Sequence, residues 1–156
     1  MMAAHRERQG KTHRTPYRKS RIALRIICGV NGMCALVFGA IMMIWPTDTP
    51  MGLSELIPLI QTMPLPAFMT ETLFWPGLAL LLVNGAANLV ASALFFAGQP
   101  RDRATISWAL AAGMLLVCWC AFEMVYFPNA ASVFYLLVGI AQVALSIRLM
   151  RHRPLD

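Results

Sequence analysis

The sequence predicts an all-α integral membrane protein, a four-helix bundle with a long, partly apolar external connection between its first two helices. Three observations predict this fold. Of the 156 residues, 58% are hydrophobic and 13% are charged, whereas soluble domains carry roughly 25% charged residues. The apolar residues form four runs, each near the roughly 20 residues that a spanning helix requires. The lysines and arginines lie only near one set of ends of these runs.

The four runs cover about residues 22–45, 74–97, 104–127 and 131–148, within a predicted transmembrane domain over 21–150. At 1.5 Å per residue the first run gives about 36 Å of helix, which crosses a hydrocarbon core of roughly 30 Å. This run ends in Ile-Trp-Pro-Thr-Asp rather than in a small-residue cleavage site. We therefore expect a retained helix and not a signal peptide.

Basic tails flank this domain. Residues 1–20 are polar and basic with little apolar surface, which predicts a disordered tail that can lie against anionic lipid headgroups. Residues 151–156 form a second, short tail. Of the 13 Lys and Arg residues, eight precede or begin the first run, two lie between the second and third runs, and three lie at the C-terminal end. Because cytoplasmic loops carry the Lys and Arg excess, both termini are predicted to be cytoplasmic.

The net charge of +6 does not indicate a nucleic-acid partner. The excess of Lys and Arg that membrane proteins carry on their cytoplasmic side already explains this charge. We therefore predict the lipid bilayer as the main partner and no nucleic acid.

The pairs Ala35 and Gly39, and Ala109 and Gly113, have the small-xxx-small spacing that lets helices pack closely. This spacing suits a tight bundle, and it leaves open a homodimer or another membrane protein as a partner.

The connection over about residues 46–72 is rich in large apolar residues and is interrupted by four prolines. It is too short and too broken by proline to span a bilayer. We expect a short helix near residues 54–61, with Ser54 as its N-cap and Glu55 in its first turn. A cover that seals the helix ends is the favoured interpretation. A lid over a binding cavity and a re-entrant segment are the alternatives.

Four amide side chains lie near the midpoints of predicted helices and form a candidate polar layer. They are Asn31, Asn84, Asn88 and Gln142. Asn84 and Asn88 are four residues apart and share a helix face. Since unsatisfied amides are costly in hydrocarbon, these groups should point inward and pair. Structural hydrogen bonds between helices, worth about 0.6 kcal/mol each, are the favoured role. A binding site for a small molecule or an ion is the alternative.

Glu123 is the acidic residue inside a predicted span, and ionisable groups within a membrane are functional candidates. It lies toward the end of its run near Tyr126. The position is compatible with a hydrated interfacial carboxylate and with a proton-coupled site.

Cysteine and histidine provide no evident chemistry. Cys28, Cys34, Cys118 and Cys120 lie in apolar runs, and the histidines lie in the basic tails. Cys118 and Cys120 are two apart on one helix, so their side chains point about 200° apart. We predict no metal site, no cofactor and no catalytic residue.

Four short motifs resemble those of a widespread group of small bacterial four-helix membrane proteins without an assigned activity. They are Asp48-Thr49-Pro50-Met51-Gly52-Leu53, Met63-Pro64-Leu65-Pro66, Phe74-Trp75-Pro76-Gly77-Leu78 and Val83-Asn84-Gly85. The resemblance covers about residues 22–149. It implies four helices in a bacterial cytoplasmic (inner) membrane, and it implies no functional residue.

These observations favour a non-enzymatic membrane protein that is structural or accessory to a membrane partner. A small dimeric transporter or channel for a small solute or ion is the first alternative. A membrane enzyme or lipophile-binding protein, which would use the 46–72 connection and the amide layer, is the second. A cavity that reaches Asn84 and Asn88 from one side would favour the alternatives, and a filled bundle would favour a structural role.

Overall fold

The computed structural model describes residues 2–47, 52–97, 103–126, 128 and 130–151, with side chains from Tyr17 onward. Residues 98–102, which lie between the second and third apolar runs, and the C-terminal tail after Arg151 lie outside the described residues. Asp48 and the motif residues up to Met51 also lie outside them.

Within the described part, four helices are long and apolar enough to cross a membrane, which confirms the predicted all-α fold. They are helix 1 (Tyr17–Ile44), helix 2 (Phe74–Ala97), helix 3 (Arg103–Tyr126) and helix 4 (Ala130–Arg151). The helical backbone of helix 1 extends back to Met2 and thus through the basic stretch. Disorder of that stretch in solution stays a prediction.

The side chains are distributed as a lipid environment requires. Large apolar side chains lie on the surface, for example Phe96, which is 68% exposed, and Val125, which is 76% exposed. Asn88 and Gln142 are instead fully buried. Water would favour the reverse arrangement, whereas hydrocarbon favours apolar groups outside and hydrogen-bonded polar groups inside. The chain is therefore a multi-pass membrane protein in contact with the bilayer.

Helices 1 and 2 approach each other at glycine. A Cβ atom built on Gly39 would lie 2.7 Å from the carbonyl oxygen of Gly77, and one built on Gly77 would lie 2.8 Å from the carbonyl oxygen of Gly39. Helices 3 and 4 meet at Gly139, where a Cβ would lie 2.9 Å from Cγ2 of Val117. Such close backbone approach maximises the dispersion contacts that hold helices together in lipid.

The connection between helices 1 and 2 forms a structured cap, which we call the roof (residues 52–73). It contains a 3-10 turn over Leu53–Leu56, followed by short α-helical segments over Ile57–Ile60 and Ala67–Thr70. The prediction that Ser54 is the N-cap is wrong, because Ser54 lies inside the turn, which begins at Leu53. Gly52 holds the cap position with a left-handed backbone (φ 70°) and no side-chain hydrogen bond. Glycine adopts this conformation without strain.

The roof packs onto helix ends. Met42 of helix 1 and Ile60, Met63 and Leu73 of the roof form a buried cluster, against which Phe122 of helix 3 packs. The backbone N–H of Leu73 donates to the carbonyl of Pro46 at 2.9 Å. The roof is thus attached to the helix ends by apolar side-chain packing and by a backbone hydrogen bond. We call this side of the bundle the roof end.

The opposite side, which we call the basic end, carries Arg21, Arg25, Arg103 and Arg148. A second buried cluster fills it: Leu24, Cys28, Ala91, Phe95, Ile106, Ala109 and Leu149. The Arg25 guanidinium lies 3.6 Å from the centroid of the Phe96 ring. This cation–π contact joins the basic ends of helices 1 and 2.

We expect Gly39→Ala to lower the unfolding free energy by about 1 to 3 kcal/mol, because the added methyl group meets a backbone carbonyl that cannot rotate away. The measurement is unfolding in mild detergent titrated with sodium dodecyl sulfate. Gly29→Ala is the control, since its Cβ would meet the rotatable hydroxyl of Ser92 at 3.0 Å. Equal losses in both variants would contradict a backbone contact at Gly39.

Candidate functional site

Helix 2 changes its winding at its centre. It is α-helical over Phe74–Ala79, π-helical over Leu80–Ala86 and α-helical again over Ala87–Ala97. Short π segments inside α-helices occur frequently at functional sites. The π segment contains Asn84, and the carbonyl of Ala87 directly after it accepts a hydrogen bond from Nε1 of Trp108 in helix 3 at 3.0 Å.

The four candidate amides form one hydrogen-bonded chain, which we call the amide network. Nδ2 of Asn31 donates to Oδ1 of Asn84 at 2.8 Å. Nδ2 of Asn88 also donates to Oδ1 of Asn84, at 2.8 Å. Oδ1 of Asn88 accepts from Nε2 of Gln142 at 2.9 Å. The structure therefore brings Asn31, Asn84, Asn88 and Gln142 together in the interior.

Gln142 extends the network to the remaining helix. Its Nε2 also donates to the carbonyl of Ala109 in helix 3 at 3.0 Å, so the network joins all four helices. The backbone carbonyl of Gln142 accepts a hydrogen bond from the Ser146 hydroxyl at 2.8 Å. Among the described residues, Oε1 of Gln142 is a buried side-chain atom without a hydrogen-bond partner.

A cavity of about 920 Å³ lies between the amide network and the roof. Asn84 is common to the network and the cavity lining, whereas Asn88 is not part of the lining. All four helices contribute to the walls. The roof contributes Leu53, Leu56, Ile60, Met63, Leu65 and Met69.

The lining is predominantly apolar and aromatic. Phe38, Trp75, Trp119, Phe122 and Tyr135 bring aromatic rings to it. Cys118 and Cys120 also line it, and both are free thiols. Large pockets with apolar walls and few polar groups are the usual form of small-molecule sites.

Glu123 lies in the wall of this cavity and is held from two directions. Nε1 of Trp119, one turn earlier on helix 3, donates to its Oε1 at 2.7 Å. The hydroxyl of Ser132 on helix 4 donates to its Oε2 at 2.8 Å. The carboxyl group thus has a fixed position, and it bridges helices 3 and 4 beside the cavity.

Metal binding has no support in the part of the chain that the structure describes, where no group of three or more His, Cys, Asp or Glu side chains could hold an ion. No protein-family model, no curated protein and no solved structure matches the chain. The group to which its motifs show a resemblance is therefore not identified by these comparisons.

Sequence reasoning named the amides and Glu123, but it missed the partners of Glu123 and the cavity. Trp119 is four residues before Glu123, a spacing that places both on one helix face and that would have indicated the contact. Ser132 comes from another helix, and no local pattern indicates it. The cavity lining uses the same apolar residue types as a filled core, so composition does not reveal it.

We expect Asn88→Leu to lower the unfolding free energy by about 1 to 2 kcal/mol, because it removes interhelical hydrogen bonds and leaves Oδ1 of Asn84 and Nε2 of Gln142 with fewer partners. Unfolding in detergent measures this change. Ser146→Ala is the control, since that hydroxyl bonds only within its own helix, and it should lose less than about 1 kcal/mol. Unchanged stability of Asn88→Leu would mean that the network does not hold the helices together.

Proposed function

We propose that this multi-pass membrane protein binds a lipophilic small molecule in the cavity between the roof and the amide network. The observation that carries the proposal is the cavity itself, with a volume of about 920 Å³. This lies within the roughly 300 to 1,000 Å³ range of pockets that bury drug-sized ligands. Apolar walls select a lipophilic occupant, and the carboxyl group of Glu123 in the lining is positioned to orient it.

The contrast between the two ends of the bundle supports binding over a purely structural role. The basic end holds a cluster of seven buried apolar residues, whereas the cavity of about 920 Å³ lies toward the roof end. Apolar groups gain dispersion contacts from atoms packed against them, and a lipophilic occupant would supply such atoms to these walls. In this proposal the roof is a lid over a binding cavity rather than only a seal.

The proposal is for a binding protein and not for an enzyme. It incorporates the lipophile-binding alternative and is compatible with an accessory role beside a membrane partner. A small dimeric transporter is the second candidate, and the position of Glu123 in the cavity wall favours it. Carboxyl groups within membranes commonly couple solute binding to ion or proton movement.

We further propose a bacterial cytoplasmic membrane with both termini in the cytoplasm, so that the roof faces the outside. The support is the sequence: Lys and Arg are absent from residues 26–100 and 104–147. Cytoplasmic connections are the ones that carry these residues.

This orientation predicts that a C-terminal tag is protected from protease added to intact spheroplasts and becomes accessible after lysis. A cysteine introduced at Glu71 in the exposed roof, Glu71→Cys, should react with an impermeant maleimide in intact spheroplasts. Cleavage of the tag before lysis would contradict the proposed orientation.

Binding predicts saturable uptake of pyrene, a neutral hydrocarbon, by protein in lipid nanodiscs. Trp75 and Trp119 line the cavity, so energy transfer from tryptophan to bound pyrene reports occupancy, with empty nanodiscs as the baseline. We expect Val83→Phe, which places a ring in the lining, to weaken this binding by about tenfold or more, as loss of about 1.4 kcal/mol would.

Val90→Phe is the matched control, because Val90 lies on the same helix, is 43% exposed and does not line the cavity. It should bind pyrene as the wild type does. Linear, non-saturating uptake by the wild type, or equal loss in both variants, would overturn the binding proposal.

A further inference from the structure

The charges around the cavity have one sign. Glu123 is the charged residue in its lining, which contains no Lys, Arg or His side chain among the described residues. The sequence has no Lys or Arg in residues 26–100 and 104–147, which include every residue that lines the cavity. On the roof, Glu55 and Glu71 are exposed. The cavity therefore lies in an acidic half of the molecule.

The carboxylate of Glu123 has unused hydrogen-bonding and electrostatic capacity. An ionised carboxylate offers about four lone-pair sites, and Trp119 and Ser132 occupy one on each oxygen. Both contacts are with neutral donors, so an ionised Glu123 has no counter-ion among the described residues of the lining, and a bound cation would stabilise its charge. In surroundings of low dielectric constant, a nearby cation is strongly attracted to such a group and an anion is repelled.

Aromatic rings surround the same space. Trp119 and Phe122 lie on the Glu123 side, on helix 3, and Tyr135 lies on helix 4. The faces of aromatic rings attract cations by about 0.5 to 2 kcal/mol, the more so when water is excluded. Rings with a carboxylate are a combination suited to a cation with apolar substituents, which has little affinity for water.

Resting on the proposed function, we infer that the occupant is a lipophilic cation, such as an amine, quaternary ammonium or phosphonium with large apolar groups, whose positive charge lies beside Glu123. The apolar substituents would fill the space below the roof. A neutral lipophile would supply no counter-ion to an ionised Glu123. A lipophilic anion would add repulsion to that cost.

The test compares two ions of nearly identical shape and opposite charge, tetraphenylphosphonium and tetraphenylborate. Equilibrium dialysis against protein in nanodiscs, with empty nanodiscs subtracted, gives specific binding of each. We expect the phosphonium to bind at least about tenfold more tightly than the borate. Glu123→Gln should weaken phosphonium binding by about tenfold, which corresponds to about 1.4 kcal/mol.

Three further measurements isolate the charge. Glu123→Asp keeps the carboxylate and should keep the preference for the cation. Glu71→Gln, the same change at an exposed roof position, should alter phosphonium binding by less than about twofold, because exposed charges are screened by salt. Pyrene carries no charge, so Glu123→Gln should weaken pyrene binding less than it weakens phosphonium binding.

The outcomes separate this inference from the binding proposal. Saturable pyrene binding together with equal affinity for the two ions, or a preference for the borate, overturns the inference and leaves the binding proposal in place. Absence of saturable pyrene binding overturns the binding proposal and, with it, the inference that rests on that proposal. The comparison of the two ions on the wild-type protein decides the matter even where Glu123→Gln does not fold.

Discussion

The hydrogen bond from Gln142 to Asn88 is the contact on which the bundle's organisation depends. It links helix 4 to helix 2, and through Asn84 and Asn31 it reaches helix 1, while the second bond of Gln142 reaches the backbone of helix 3. In hydrocarbon no water is present to form hydrogen bonds with these amides, so they must bond to one another or to the backbone. Their pairing fixes which face of three helices points inward, and the apolar faces are left to the lipid.

The amide network also divides the interior. Toward the basic end the helices enclose a continuous apolar cluster, and toward the roof end they line a cavity. Asn84 belongs to both the network and the lining, and the π segment around it changes the winding of helix 2 at this level of the bundle. The roof then covers the cavity at the opposite limit, with Ile60, Met63 and Leu73 buried against helix ends.

Much of this fold could be predicted because hydrocarbon imposes simple rules. The length of each apolar run gave the helices, and the depth and spacing of Asn84 and Asn88 indicated that they share an inward face. The π segment could not be predicted, since nothing in Leu80–Ala86 distinguishes it from an ordinary helix. The Glu123–Ser132 bond joins two helices through tertiary packing. The N-cap of the first roof turn is Gly52 rather than Ser54. This position depends on a left-handed backbone conformation, which the preference of serine for caps does not reveal.

The distribution of basic residues links orientation to chemistry. Membrane insertion requires only that Lys and Arg collect on one side, but their collection there removes every lysine and arginine from the residues around Glu123. A carboxylate that is removed from water in a protein is ordinarily paired within the chain, and Glu123 is partly buried. Here the residues that would pair with it lie at the other end of the bundle, and its neighbours are an indole N–H, a hydroxyl and apolar walls. The same charge asymmetry that orients the helices thus leaves Glu123 able to select a cation from outside the chain.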